Sequence, residues 1–128
     1  MTKKKVLIID DETSITKLLK FALERTDRYT VEAENSGRKA MTAIRTFLPD
    51  VILLDVNMPG TDGLTLLQSL RRHGVTAPAF VITGYDAPGQ AARAQQLGAT
   101  KYMVKPVDLR ELDRQIADTL KTKRLTKD

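Results

Sequence analysis

Short apolar runs alternate with longer amphipathic segments along the chain. Val6-Leu7-Ile8-Ile9 is a continuous apolar run that stops at two aspartates, the pattern of a strand buried on both faces. Ile15, Leu18, Leu19, Ala22 and Leu23 then recur at three- and four-residue spacing, which is one face of a helix. Tyr29-Thr30-Val31 reads as a short second strand. Ala40, Ala43, Ile44 and Phe47 repeat the helical spacing until Pro49 ends it. Val51-Ile52-Leu53-Leu54 is a third buried run, stopping at Asp55. Pro59, Gly60, Asp62 and Gly63 mark a loop. Leu64, Leu67 and Leu70 follow on a short helix. Ala79-Phe80-Val81-Ile82 predicts a fourth strand ending at Thr83. The stretch from Gln90 to Leu97 is a weak helix with Ala91, Ala94 and Leu97 on its apolar side. Tyr102-Met103-Val104 predicts a fifth strand, ending at Lys105-Pro106. Asp108 stands where it can cap a last helix whose inner face is Leu109, Leu112, Ile116 and Leu120.

Strand and helix thus alternate five times. That predicts an α/β domain: a doubly wound, five-stranded parallel sheet with helices on both faces, in the order 2-1-3-4-5. Such sheets bind ligands beyond the carboxyl ends of their strands, where the strand order reverses.

At 128 residues the chain fits one domain, 1–128, with a core from about 6 to 120 and a basic tail at 121–128. No cysteine is present, which removes disulfides and thiolate metal sites and is consistent with a cytoplasmic protein. No apolar run approaches the roughly 20 residues of a membrane span. The net charge is +5, yet much of the excess lies at Lys3, Lys4 and Lys5 and at Lys121, Lys123, Arg124 and Lys127. Aromatics are only 5% and are not interleaved with those cations, so the charge reads as solvated ends rather than a nucleic-acid surface.

Four of the five strands end on reactive side chains: Asp10-Asp11, Asp55, Thr83 and Lys105. In the predicted fold these ends share one rim. Three carboxylates gathered there repel one another and call for a cation. A hard divalent ion with oxygen ligands suits them, and Mg²⁺ keeps room for water and phosphate oxygens. A carboxylate beside such an ion can act as a nucleophile toward phosphorus. Lys105 adds a second cation, and Thr83 a hydroxyl donor to a phosphoryl oxygen.

These residues, with the loop Met58-Pro59-Gly60-Thr61-Asp62-Gly63 and the pair Lys105-Pro106, resemble the signature of bacterial two-component response-regulator receiver domains from about Val6 to Leu120. The resemblance implies a flavodoxin-like receiver fold and a phosphorylation-controlled switch rather than an enzyme, one that assists its own phosphorylation and dephosphorylation. It implies that Asp55 is the phosphoacceptor, served by a sensor histidine kinase or a histidine phosphotransfer protein. By the same resemblance Asp11 would bind Mg²⁺ directly and Asp10 would act more through water. Asn57 offers its backbone carbonyl to the metal, and Lys105 pairs with the phosphoryl group. Pro106 follows a cis peptide bond in this family. The resemblance makes Thr83 and Tyr102 the expected switch pair. The implied output is a downstream protein target or a further domain, through a monomer or a weak phosphorylation-dependent dimer. In one subfamily an acidic residue before the switch aromatic pairs with a basic one, here Arg114, across that dimer; Thr100-Lys101 departs from that pattern, as Val107 does where many relatives have Phe.

Two other classes fit the residues less well. A phosphatase of the haloacid-dehalogenase type places a second acid two residues after its nucleophile, whereas Asn57 stands there. A flavin-binding protein needs a phosphate-cradling loop after the first strand, where Asp10-Asp11-Glu12 repels phosphate. His73 reads as a surface residue. Tyr85 reads equally as a shield over the site or a half-exposed loop aromatic.

Overall fold

The computed structural model describes residues 2–127, with side chains as far as Lys121. The strands are β1 (Lys4–Ile9), β2 (Tyr29–Glu34), β3 (Val51–Asp55), β4 (Ala79–Thr83) and β5 (Lys101–Val104). The helices are α1 (Thr13–Glu24), α2 (Ala40–Phe47), α3 (Gly63–Arg72), α4 (Gln90–Gln96) and α5 (Leu109–Lys127). A 3-10 turn, Gly37–Lys39, leads into α2. Every strand pair is parallel and the order is β2-β1-β3-β4-β5, as the alternation predicts. The basic tail continues α5 to Lys127, and its side chains beyond Lys121 lie outside the described residues.

The continuous apolar runs are explained by two cores. Leu7, Ile9, Ile52, Leu54 and Val81 point to one face and pack under α2, α3 and α4. Val6, Ile8, Leu53, Phe80 and Ile82 point to the other, under α1 and α5. Because successive strand residues face opposite ways, a strand covered on both sides has no polar position to spare. The edge strands depart from this: no residue of β5 is buried, and β2 is covered only in part. It runs three residues beyond Val31, and its tail, Glu32 to Glu34, is not buried, because β2 is an edge strand with one half-covered face. Its free edge is closed from α1: Lys20 Nζ donates to the Val31 carbonyl at 2.6 Å, and the Val31 N–H donates to Glu24 at 3.2 Å.

Local chemistry sets the helix ends. Asp62 caps α3, accepting from the Leu64 N–H at 3.0 Å and the Thr65 hydroxyl at 2.9 Å. Gly63 must lack a side chain, since a Cβ there would sit 2.3 Å from the Val56 Cα. This close approach anchors the loop that follows Asp55. Asp108 caps α5 as expected, accepting from the N–H groups of Arg110 and Glu111. In contrast, α4 starts at Gly89 in the left-handed region with no side-chain cap. No helix among the described residues is long and apolar enough to cross a membrane.

Candidate functional site

Going from β1 to β2 the chain moves to one side of the sheet, and going from β2 to β3 it crosses to the other. The crevice at that reversal lies between the carboxyl ends of β1 and β3. Asp10 and Asp11 follow β1, and Asp55 is the last residue of β3. Asp10 and Asp55 are each only 3% exposed, and Asp11 is half-buried. One carboxylate oxygen from each lies within 4.8 Å of the others. The sequence-predicted acids therefore do converge.

Lys105 reaches the same point from the next strand but one. Its backbone N–H donates to the Thr83 carbonyl at 2.7 Å, and a cis Lys105-Pro106 bond follows. Its ammonium lies 2.9 Å from Asp10, 3.0 Å from Glu12 and 3.4 Å from Asp55. The remaining oxygens of the buried acids are also used. Asp10 Oδ1 accepts from the Glu12 N–H and Asp55 Oδ1 from the Asn57 N–H, both at 2.9 Å. Among the described residues, the Asp11 carboxylate accepts no hydrogen bond and makes no ion pair.

The electrostatics follow from this crowding. Burial raises the Asp55 pKa above the ordinary carboxylate value. The Asn57 N–H pulls it down, the Asp10 charge pushes it up, and Lys105 pulls it down again. Burial pulls the Lys105 ammonium downward, but its bonds to Asp10 and Glu12 and the Asp10 and Asp55 charges outweigh that and hold it above its usual value. Lys105 is the resident cation of three acids.

Thr83 ends β4, fully buried. Its hydroxyl meets the Asn57 side-chain oxygen and the Tyr85 carbonyl, and it accepts from the Tyr85 N–H at 3.0 Å. Tyr102 lies diagonally from it: Thr83 pairs with Val104, and Tyr102 with Val81. The Tyr102 ring is half-buried against the α4-side core, and its hydroxyl donates to Asp86 at 2.8 Å. The Gln90 amide spans the gap between the two.

Glu12 and the Asn57 side chain touch site residues, and Asp86 and Gln90 lie outside the acidic cluster, against Tyr102; sequence reasoning gave none of them a role. Glu12 could have been found from its adjacency to the acidic pair. Asp86 and Gln90 lie in and just after an irregular loop, which carries no periodic signal. His73 is exposed at the end of α3, its ring against the Ser69 carbonyl. Tyr85 is 67% exposed. Arg114 pairs within its own helix, with Glu111 at 2.6 Å and Asp118 at 3.9 Å.

An all-oxygen donor set of three clustered carboxylates, one of them without a hydrogen bond, fits a hard divalent cation. The response regulator receiver domain family matches residues 6–117. The chain is similar to the alkaline phosphatase synthesis transcriptional regulatory protein PhoP of Bacillus subtilis (strain 168), 36% identical over 118 residues, covering 92% of this chain and 49% of that protein. It is 35% identical over 111 residues to the regulatory protein AtoC of Escherichia coli (strain K12), covering 85% of this chain and 23% of that one. The chain thus spans half or less of these curated relatives. Among solved structures it is similar to a response regulator receiver domain protein (CheY-like) from Methanospirillum hungatei JF-1, with a TM-score of 0.90 and 26% identity, covering 98% of this chain and 99% of that one.

Proposed function

The chain belongs to the response-regulator receiver family of two-component signalling, and on that premise we propose that Asp55 is the residue that takes the phosphoryl group. The observation that carries this is the convergence of Asp10, Asp11, Asp55 and Lys105 on one point at the sheet's reversal. In the transfer, an Asp55 carboxylate oxygen attacks phosphorus. The bond from phosphorus to the donor imidazole nitrogen breaks, and the imidazole leaves with the electron pair. Asp10, Asp11, Asp55 and the Asn57 carbonyl are the groups that would hold Mg²⁺, which when bound neutralises charge on the transferring oxygens. Lys105 trades Asp10 and Asp55 for a phosphoryl oxygen, and the Thr83 hydroxyl turns from its present partners to donate to another. The switch pair is Thr83 and Tyr102.

The donor is a phosphohistidine protein, a sensor kinase or a phosphotransfer protein. A cavity of about 420 Å³ opens beside Lys105, lined by Ile15, Leu18, Pro106, Val107 and Leu109, and it continues onto α1, where Leu18 and Phe21 are more than half exposed. That apolar approach supports docking of a donor helix next to the acceptor. The 128 residues act as one receiver unit, with its output in a partner protein or a further domain.

Acetyl phosphate with Mg²⁺ supplies a small donor, and mass spectrometry maps the adduct. One phosphoryl group on Asp55, and none on Asp55→Asn, is the expected result. A normal adduct on that variant overturns the assignment.

A further inference from the structure

The Gln90 side chain lies between the two switch residues and is used by neither the metal cluster nor the phosphoryl site. Its amide nitrogen is 3.3 Å from the Thr83 hydroxyl, 2.9 Å from the Tyr85 carbonyl and 2.9 Å from the Tyr102 hydroxyl. An amide NH₂ has two hydrogens for these three acceptors. Whichever acceptor leaves changes how the other two are served.

Gln90 is also the first residue of α4, and the two ends of that helix are held differently. The N-terminal end has Gly89 in the left-handed region and no side-chain cap. The C-terminal end is pinned. Arg71 donates to the Gly98 carbonyl at 2.8 and 3.2 Å, and to the carbonyls of Val75 and Ala77, both at 2.8 Å. The Thr100 N–H donates to the Ala79 carbonyl at 2.8 Å, and Ala94 is fully buried in the core. A force applied at Gln90 therefore turns the first turn of α4 about a fixed far end.

We propose that Gln90 is the positioning residue through which Thr83 sets the state of Tyr102 and of the N-terminal end of α4. This rests on Asp55 being the acceptor. When the Thr83 hydroxyl turns toward a phosphoryl oxygen, Gln90 loses one of its three acceptors. Its two amide hydrogens are then shared by the Tyr85 carbonyl and the Tyr102 hydroxyl alone, the Tyr102 hydroxyl keeps Asp86 and gains a full donor, and the uncapped start of α4 follows Gln90.

The test uses the full chain labelled with 3-fluorotyrosine, whose three tyrosine signals are read by fluorine NMR before and after acetyl phosphate and Mg²⁺. Mass spectrometry follows the Asp55 adduct in parallel. Wild type gains the adduct and shifts its Tyr102 signal. Gln90→Ala gains the adduct at a rate within about twofold, while its Tyr102 shift falls to about one third or less. Gln90→Glu, which keeps the size but replaces the donor with an acceptor, behaves like Gln90→Ala and serves in its place if that variant does not fold. Gln95→Ala, on the exposed side of α4, keeps the full shift, which separates this role from a general loosening of the helix. An undiminished Tyr102 shift in phosphorylated Gln90→Ala or Gln90→Glu overturns the inference and leaves the acceptor assignment standing. Equal losses in Gln90→Ala and Gln95→Ala also overturn it. A wild type that takes no phosphoryl group overturns the acceptor assignment, and this inference falls with it.

Discussion

Replacing Lys105 with methionine should expose the repulsion that the lysine now masks. The ammonium, 15% exposed, lies 2.9 Å from Asp10 and 3.4 Å from Asp55, both buried. At an effective dielectric of about 20, each attraction is worth roughly 5 kcal/mol before desolvation. Desolvation cancels much of that for the intact cluster. Removing one partner is a different matter, because the buried acids lose their counter-charge, at a cost of about 3–5 kcal/mol. For a domain of this size, about 4 °C of melting temperature accompanies each kcal/mol, so Lys105→Met should melt about 12–20 °C lower in chelator at pH 7. The deficit should narrow at pH 5, since Asp55, already raised by burial, takes up a proton once its cation is gone. Mg²⁺ should then stabilise the variant more than the wild type, because Lys105 no longer competes for the same oxygens. Tenfold excess over the dissociation constant contributes about 1.4 kcal/mol. If removing the competitor tightens binding tenfold, the same concentration contributes about 2.7 kcal/mol, some 5 °C more. Thermal melts of both proteins across a Mg²⁺ titration make the comparison. A variant that gains no more from Mg²⁺ than wild type does would refute the idea that lysine and metal share these ligands.

Asp11→Ala should abolish most of the Mg²⁺ stabilisation, which in wild type reaches about 2.7 kcal/mol at a hundredfold excess over the dissociation constant. Equal Mg²⁺-induced melting shifts in the two proteins would exclude Asp11 as a ligand. Asp62→Ala should cost about 1 kcal/mol at pH 7 through loss of the α3 cap. The Thr65 hydroxyl, with the Thr65 and Leu64 N–H groups, holds the Asp62 carboxyl below its ordinary value against a smaller effect of burial. Its stabilisation is therefore complete above the unfolded carboxylate pKa and lost as pH falls through the depressed folded value. Urea unfolding of both proteins should show the gap closing below about pH 4; a gap that stays constant from pH 7 to pH 3 would count against the cap.

The fold was legible because two-sided burial leaves a coarse mark. Val6-Leu7-Ile8-Ile9 and Val51-Ile52-Leu53-Leu54 hold no polar residue, and each stops where the strand leaves the core, at Asp10 and Asp55. The end of a buried strand and the start of polar chemistry are one event, so the sequence alone places the acids on one rim. Edge strand β2 was read short because Glu32 and Glu34 face outward, where burial imposes no pattern. Partners were harder to read than positions. Nothing in the spacing indicates that Glu12 shares Lys105 with Asp10, or that Thr83 meets the Asn57 side chain. Such pairings depend on how loops after different strands turn toward one another, and loop paths carry no period.

Those unforeseen partners bear on how the switch stays off. Lys105 and Thr83, the two residues expected to hold a phosphoryl group, are both engaged elsewhere, Lys105 by three acids and Thr83 by Asn57, Tyr85 and Gln90. On the proposed mechanism, phosphorylation breaks these contacts before it makes its own. The net energy available to move Tyr102 and α4 is then the difference between two sets of hydrogen bonds. With charged groups in both sets, that difference is about 1–3 kcal/mol, much smaller than either set alone. A surplus of that size shifts a two-state equilibrium by roughly five- to 150-fold. On that mechanism the resting contacts set the gain of the switch as much as the phosphoryl site does. Weakening one of them, as in Gln90→Ala, acts on transmission while leaving Asp55 and its acids as they are.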